Sequence, residues 1–137
     1  MKILITAGGT SERIDDVRRI VNNSTGQLGV ALAKAFRGAE IFYVRGRGAV
    51  SPDSSGICEF VVEDATGLER VLRQILDEQN IDVIVHAMAV SDFRVKERIE
   101  GKISSEIEEF TLTFVKTPKI IGLFRELAPK AMLVGFK

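Results

Sequence analysis

The chain has 137 residues, 45% of them hydrophobic and 28% charged, and its nineteen basic and nineteen acidic side chains cancel. That is one domain's length, enough to bury roughly 68% of the unfolded surface around a single core, and the balanced charge leaves no global field to recruit nucleic acid or an anionic membrane. No apolar run approaches the roughly 18 residues of a membrane span, and Met1-Lys2 leads into a short strand-like run rather than a secretion signal, so the expected address is the cytoplasm.

A single cysteine and a single histidine rule out an internal disulfide, a cysteine-cluster metal site and a multi-histidine centre. Cys58 lies in the run Cys58-Glu59-Phe60-Val61-Val62 and reads as a buried, inert thiol. His86 ends another apolar run and reads as a hydrogen-bonded structural residue.

In chain order, Lys2-Ile3-Leu4-Ile5-Thr6 predicts a short buried strand, stopped by Ala7-Gly8-Gly9-Thr10. Glycines at the carboxyl end of such a strand serve either a sharp structural turn or a phosphate loop, and the pattern is not GxGxxG. From Ser11 to Asn23 the chain is polar, with isolated Ile14, Val17 and Ile20. A connection of that length is uncommon in a compact domain and tends to be functional. Arg13, Arg18 and Arg19 offer positive charge to a ligand, with solvated surface the reading preferred for at least two of them.

The next stretch, Asn22-Asn23-Ser24-Thr25-Gly26-Gln27-Leu28-Gly29, joins that loop to Leu28, Ala31, Leu32, Ala35 and Phe36 at helical spacing. Ser24 or Thr25 is the expected cap. Outward-pointing N–H groups and the helix dipole make such a start a candidate phosphate site, the alternative being an ordinary capped surface helix.

Glu40 to Val44 predicts a second strand, 45–56 a Gly, Ser and Pro-rich surface loop, Cys58 to Val62 a third strand, and 66–79 a helix with Leu68, Val71, Leu72, Ile75 and Leu76 on one side. Ile81 to His86 is the next strand, and Ala87 to Arg94 should emerge on the same rim as Gly8 and Gly9. There Asp92 is either a carboxylate for a triphosphate-bound magnesium ion or a turn residue. The charged stretch 95–105 reads as a loop that could carry Lys102 over a phosphate. Phe110 to Phe114 predicts a strand, Thr117-Pro118 the cap and first residue of a helix bearing Ile120, Ile121, Phe124 and Leu127, and Met132 to Phe136 a last buried strand. The order implies a three-layer, Rossmann-like α/β fold with a mostly parallel central sheet.

Together these segments resemble phosphopantothenoylcysteine synthetases, the phosphopantothenate:cysteine ligases of coenzyme A biosynthesis. The resemblance is carried by Thr6 to Thr10, Asp15 to Arg18, Asn22 to Gly26 with Gly29, Ala89 to Phe93, Lys102 to Ser105, Lys116 to Ile120 and Gly135-Phe136-Lys137. It implies that the carboxylate of 4'-phosphopantothenate attacks the α-phosphate of CTP or ATP, and that the amine of L-cysteine then captures the acyl-nucleotide. Position by position it implies Asn22 and Lys102 as catalytic residues. Gly8, Gly9, Thr10, Ser24, Gly26, Ala89, Ser91, Asp92 and Phe136 become nucleotide contacts, with Asp92 also serving Mg2+.

The resemblance further implies a homodimer and a single nucleotide-binding synthetase domain over 1–137, shortened at its C-terminus relative to the family and with no flavin-dependent domain fused in front. Ser104-Ser105 stand where many bacterial members carry further lysines, which leaves the choice between CTP and ATP open. A truncated nucleotide-binding module without turnover is the alternative. A nicotinamide-dependent oxidoreductase is weakened by the lack of GxGxxG and of a Tyr-xxx-Lys pair, Tyr43 being the only tyrosine.

Overall fold

The computed structural model describes residues 1–36 and 38–136. In chain order the elements are β1 (Lys2–Gly9), β2 (Ser11–Arg13), β3 (Arg19–Val21), α1 (Gln27–Ala35), β4 (Glu40–Gly46), β5 (Ile57–Val62), α2 (Ala65–Glu78), β6 (Val83–Ala89), β7 (Phe93–Val95), β8 (Phe114–Lys116), α3 (Ile120–Leu127) and β9 (Met132–Gly135). Five strands form one parallel sheet in the order β5-β4-β1-β6-β9, while β2-β3 and β7-β8 make two short antiparallel ribbons. This is the expected three-layer α/β arrangement.

The sheet works because its inner strands are apolar on both sides, as strands covered by helices on both faces must be. Alternate residues point to opposite faces. Leu4, Phe42, Val44, Ile84 and Met88 pack with Leu68, Leu72, Ile75 and Leu76 of α2 and Ile120, Leu123 and Phe124 of α3. Ile3, Ile5, Ala7, Ile41, Tyr43 and Val85 pack on the other face with Ala33, Val30 and Leu32 of α1. Each fully buried large side chain contributes about 1.5–3 kcal/mol of burial, so the α2/α3 face, with more of them, is the thermodynamic heart of the molecule.

Helix α2 starts at Asp64, whose Oδ1 accepts the Gly67 N–H at 2.7 Å, and Oε1 of the distant, buried Glu12 accepts the Ala65 N–H at 2.9 Å. Both satisfy donors that a helix start leaves free.

Several expectations need correction. Strand β1 runs through Gly9, so the glycines end the strand rather than follow it. The polar connection 11–23 is a hairpin. Helix α1 is capped by Gly26 in a left-handed conformation without a side-chain cap; Thr25 Oγ1 only accepts the Gln27 N–H at 3.4 Å. Helix α3 begins two residues later than expected, with Lys119 as cap, because Thr117 spends its hydroxyl on the carbonyl of Ser91.

Cys58 is exposed rather than buried. It shares a sheet face with Phe60 and Val62, but β5 is an edge strand and Cys58 sits near its start, beyond the cover that buries Val62. The strand expected over 110–114 does not form there; β8, Phe114–Lys116, shares only Phe114 with it. Strand β9 is a sheet edge with Met132 65% exposed, so it is not the buried strand expected. His86 does take its structural role: it is buried, Nδ1 lies 2.6 Å from Thr6 Oγ1, and its ring meets Phe124 edge-on at 5.1 Å. Lys137 lies outside the described residues.

Candidate functional site

From β1 the chain moves outward to β4 and β5, then returns past β1 to β6 and β9. The strand order therefore reverses between β1 and β6, and a crevice opens at their carboxyl ends, where open α/β sheets bind ligands. The register sets Gly8 beside Met88 and Gly9 beside Ala89 at this crevice.

Hydrogen bonds knit the rim. The Thr10 N–H donates to the Ala89 carbonyl at 3.0 Å, and Thr10 Oγ1 accepts the Ser91 N–H at 2.9 Å. The Asn22 N–H donates to the Thr10 carbonyl at 3.1 Å, and Ser91 Oγ donates to Asn22 Oδ1 at 3.0 Å. With Oδ1 occupied by Ser91, the amide NH₂ of Asn22 is the end left to donate. Gly9 is required here by close approach: a Cβ at that position would lie 2.1 Å from the Asn22 carbonyl oxygen. A larger residue would push Asn22 away from the strand.

Beside Asn22 lies a cleft of about 550 Å³ lined in part by Gly9, Ser24, Thr25, Ala49, Arg47 and Glu63. Helix α1 begins next to Thr25, and the lack of a side-chain cap leaves its first turn available to an anion. Gly26 has φ 79°, and a Cβ on it would stand 2.9 Å from Ala49 Cβ; Gly8 abuts the same methyl. Ala49 is thus a wedge between β1 and the start of α1. It is held by the Val50 N–H on the Thr25 carbonyl and by Arg45 Nη1 on its own carbonyl, at 3.0 and 3.1 Å.

At the mouth, Glu63 bridges two cations, with Arg19 Nη2 at 3.2 Å and Arg47 Nε at 2.9 Å. Sequence reasoning misses Arg47, which lies inside a Gly, Ser and Pro-rich connection, and Glu63, which sits between a strand and a helix with no motif around it. The signal that could have found them is position: each follows the carboxyl end of a parallel strand, on the rim where Gly8 and Gly9 lie.

The structure brings Gly8, Gly9, Thr10, Asn22, Ala89 and Ser91 together at the crevice, with Ser24 and Gly26 on the cleft side. Asp92 follows Ser91, but its carboxylate, 64% exposed, pairs with Lys119 Nζ at 2.5 Å. Phe136 is exposed beyond β9, its N–H donating to the His86 carbonyl at 3.2 Å. Lys102 is exposed on the loop between β7 and β8, and that loop is tied to the tip of the β2-β3 hairpin rather than to Asn22 or Asp92. Of the three arginines weighed in the sequence, Arg19 reaches the cleft, while Arg18 pairs with Asp15 at 2.5 Å.

Two buried carboxyls on the hairpin have opposite fates. Burial raises the Glu12 pKa, and the one N–H from Ala65 only partly offsets it. Burial also pushes Asp15 up, but N–H groups of Ile103, Val17 and Arg18 and the Arg18 guanidinium outweigh it and hold that carboxyl well below the usual range. Burial lowers the His86 pKa to about 4, so the ring is neutral near pH 7 and does not serve as a cation at the rim.

A doubly wound sheet with a glycine-lined crevice, a helix start without a side-chain cap and a presented amide defines a Rossmann-like α/β protein with a candidate anion site. The comparisons make this specific: the family described as DNA/pantothenate metabolism flavoprotein C-terminal domain matches residues 1–137, and the chain belongs to it. It is 41% identical over 138 residues to the coenzyme A biosynthesis bifunctional protein CoaBC of Thermococcus kodakarensis, an alignment covering 99% of this chain and 34% of that protein. The chain thus spans about a third of the length of that relative.

The crystal structure of a DNA/pantothenate metabolism flavoprotein from Streptococcus pneumoniae superposes with a TM-score of 0.86 at 33% identity, over 100% of this chain and 69% of that one. A Cab2 mutant in complex with phosphopantothenate-cysteine shares the fold, with a TM-score of 0.78 at 21% identity over 99% of this chain and 63% of that one.

Proposed function

We propose that the chain is a phosphopantothenate:cysteine ligase. The observation that carries this reading is the placement of Asn22 at the reversal point of the sheet, its carbonyl against Gly9 and its side chain held by Ser91, next to a helix start without a side-chain cap. The membership in a family of pantothenate metabolism supports the substrate class.

A free carboxylate is a poor acyl donor. In the proposed reaction its oxygen attacks the α-phosphorus of CTP or ATP, the bond to the bridging oxygen breaks, and pyrophosphate leaves. The cysteine amine then attacks the acyl carbon, loses a proton, and expels the nucleoside monophosphate as the amide forms. The N–H groups at the start of α1, with Gly8 and Gly9, bind the triphosphate, while Thr10, fully buried with its N–H on the Ala89 carbonyl and its Oγ1 accepting the Ser91 N–H, ties the rim together rather than touching the nucleotide as expected. The Asn22 NH₂ donates to the oxygen on which charge develops, the kind of contact whose loss costs about 10²-fold or more in rate. Lys102 is assigned the neutralisation of phosphate charge, Ser24, Gly26, Ala89 and Ser91 contacts along the nucleotide, and Phe136 a face for the base.

Among the described residues no three metal-binding side chains come together, so a metal ion held by the protein alone does not fit. One exposed carboxylate, Asp92, does fit magnesium delivered on a triphosphate, which keeps several waters and needs only one or two carboxylates. When bound, that ion supplies charge neutralisation to the phosphates. Cytoplasmic residence and a homodimer complete the reading.

The test is direct. Purified chain is given 4'-phosphopantothenate, L-cysteine, magnesium and either CTP or ATP, and pyrophosphate is followed. Release that requires 4'-phosphopantothenate supports the ligase and identifies the nucleotide; nucleotide binding without pyrophosphate release overturns it in favour of a binding module.

A further inference from the structure

The Asp15 side chain is completely buried, yet every acceptor site of its carboxylate that the structure uses points at one of two segments. Oδ1 accepts the N–H groups of Val17 and Arg18 at 2.9 and 2.6 Å, which closes the tip of the β2-β3 hairpin. Oδ2 accepts Arg18 Nη1 at 2.5 Å and, from far along the chain, the Ile103 N–H at 3.0 Å. Further bonds run the same way: Asp16 N–H to the Gly101 carbonyl, Ile99 N–H to the Ile14 carbonyl, both 3.0 Å, and Arg18 Nη1 to the Ile103 carbonyl at 3.3 Å. Lys102 lies between the two residues so fastened, Gly101 and Ile103. At its other end the hairpin runs through β3 directly into Asn22.

We propose that Asp15 is a positioning residue for the ligation: its carboxylate fastens the Lys102 segment to the hairpin whose base ends in Asn22, so that lysine and amide ride on one arm. The inference rests on the ligase reading for its consequence, and on geometry alone for the fastening. A carboxylate suits the task because it takes donors from both segments at once without a proton of its own to place. Charged acceptors also make the stronger hydrogen bonds. Apart from Ile103, whose side chain is buried, the loop around Lys102 is exposed and polar and has few other ways to hold a fixed place.

The experiment measures position and turnover separately. In a Cys58→Ser background, spin labels are placed at Gln27→Cys and Lys102→Cys, both exposed sites, and their distance distribution is recorded. It is expected to be narrow with Asp15 present and clearly broader in Asp15→Asn. Ile103→Pro, which deletes both the donor and the buried side chain on the loop side and leaves Asp15 and its hairpin donors in place, is expected to broaden it too. In turnover, Asp15→Asn is expected to lower kcat by about 10²-fold with little change in KM, the cost of a small misplacement. Added to Lys102→Gln it should cost less than about two-fold more, because both changes remove one effect.

Narrow distributions in both Asp15→Asn and Ile103→Pro, or losses that multiply in the double variant, would overturn the proposal. A wild-type chain without pyrophosphate release would remove the ligase reading, and the distance distributions would still decide the fastening.

Discussion

The body of the sheet and the rim above it are held by different forces. In the body, Leu4, Phe42, Val44 and Ile84 meet α2 and α3 through dense apolar contact, and the cooperative stability of the fold resides there. At the rim, Thr10, Asp15, Asn22 and Ser91 are placed by hydrogen bonds from backbone and side chain, with exposed arms on either side. The contrast teaches that the body tolerates small errors of direction but not of volume, whereas the rim depends on direction.

Four substitutions or conditions sharpen that contrast. The largest effect belongs to the body: Phe124→Ala should cost about 4 kcal/mol of unfolding free energy, read by urea denaturation, since a fully buried ring is replaced by a cavity.

Next is acid. His86 has a folded pKa of about 4 against an ordinary 6.5. Its neutral form therefore contributes in full above pH 6.5, and that contribution is lost as pH falls from 6.5 towards 4, up to about 3 kcal/mol. Urea midpoints should decline over this window, and His86→Gln should flatten the decline; an unchanged slope in that variant would assign it to other groups.

Third, Asn22→Ala should cut turnover by about 10²-fold or more while leaving the melting temperature nearly unchanged, because this half-exposed amide has one side-chain partner, Ser91. A large fall in melting temperature would move Asn22 from the rim to the body.

The smallest effect is Tyr43→Phe. The Tyr43 hydroxyl is fully buried and has no hydrogen-bond partner among the described residues, and burial, aided by the charge of Glu59, pushes its pKa up to about 12. Removing it should shift stability by less than about 1 kcal/mol, in the stabilising direction, as read by calorimetry. A clear loss would mean that the oxygen is doing something in the packing of α1.

The same division explains what the sequence disclosed. Strands β1, β4 and β6 and helix α2 were legible because apolar runs and 3.6-residue spacing report burial directly. The rim was legible as a set of residues but not as a geometry. The β2-β3 hairpin has no apolar alternation to read; its turn is closed by the Asp15 side chain with partners at 17, 18 and 103, and the last of these is far away in sequence. Thr117 looked like a cap and instead reached the Ser91 carbonyl across the rim. Cys58 looked buried because its neighbours are apolar, and only the strand order reveals that it lies on an edge. The pairing of Arg19 and Arg47 through Glu63 joins three connections that no local pattern links.

The Ala49 wedge gives the connection between β4 and β5 a split personality for engineering. Its first half is bonded into the cleft wall, the Arg47 N–H on the Val62 carbonyl and the Ala49 N–H on the Gly46 carbonyl, both at 2.9 Å. Its second half, Ser54 to Gly56, stands exposed with open space where a Gly56 side chain would go. An affinity tag or reporter peptide grafted at Ser54–Ser55 would hang in water, whereas the same graft at the buried Ala49 would prise the β1 glycines from the start of α1, so one short connection offers both an attachment point and a way to disable the cleft.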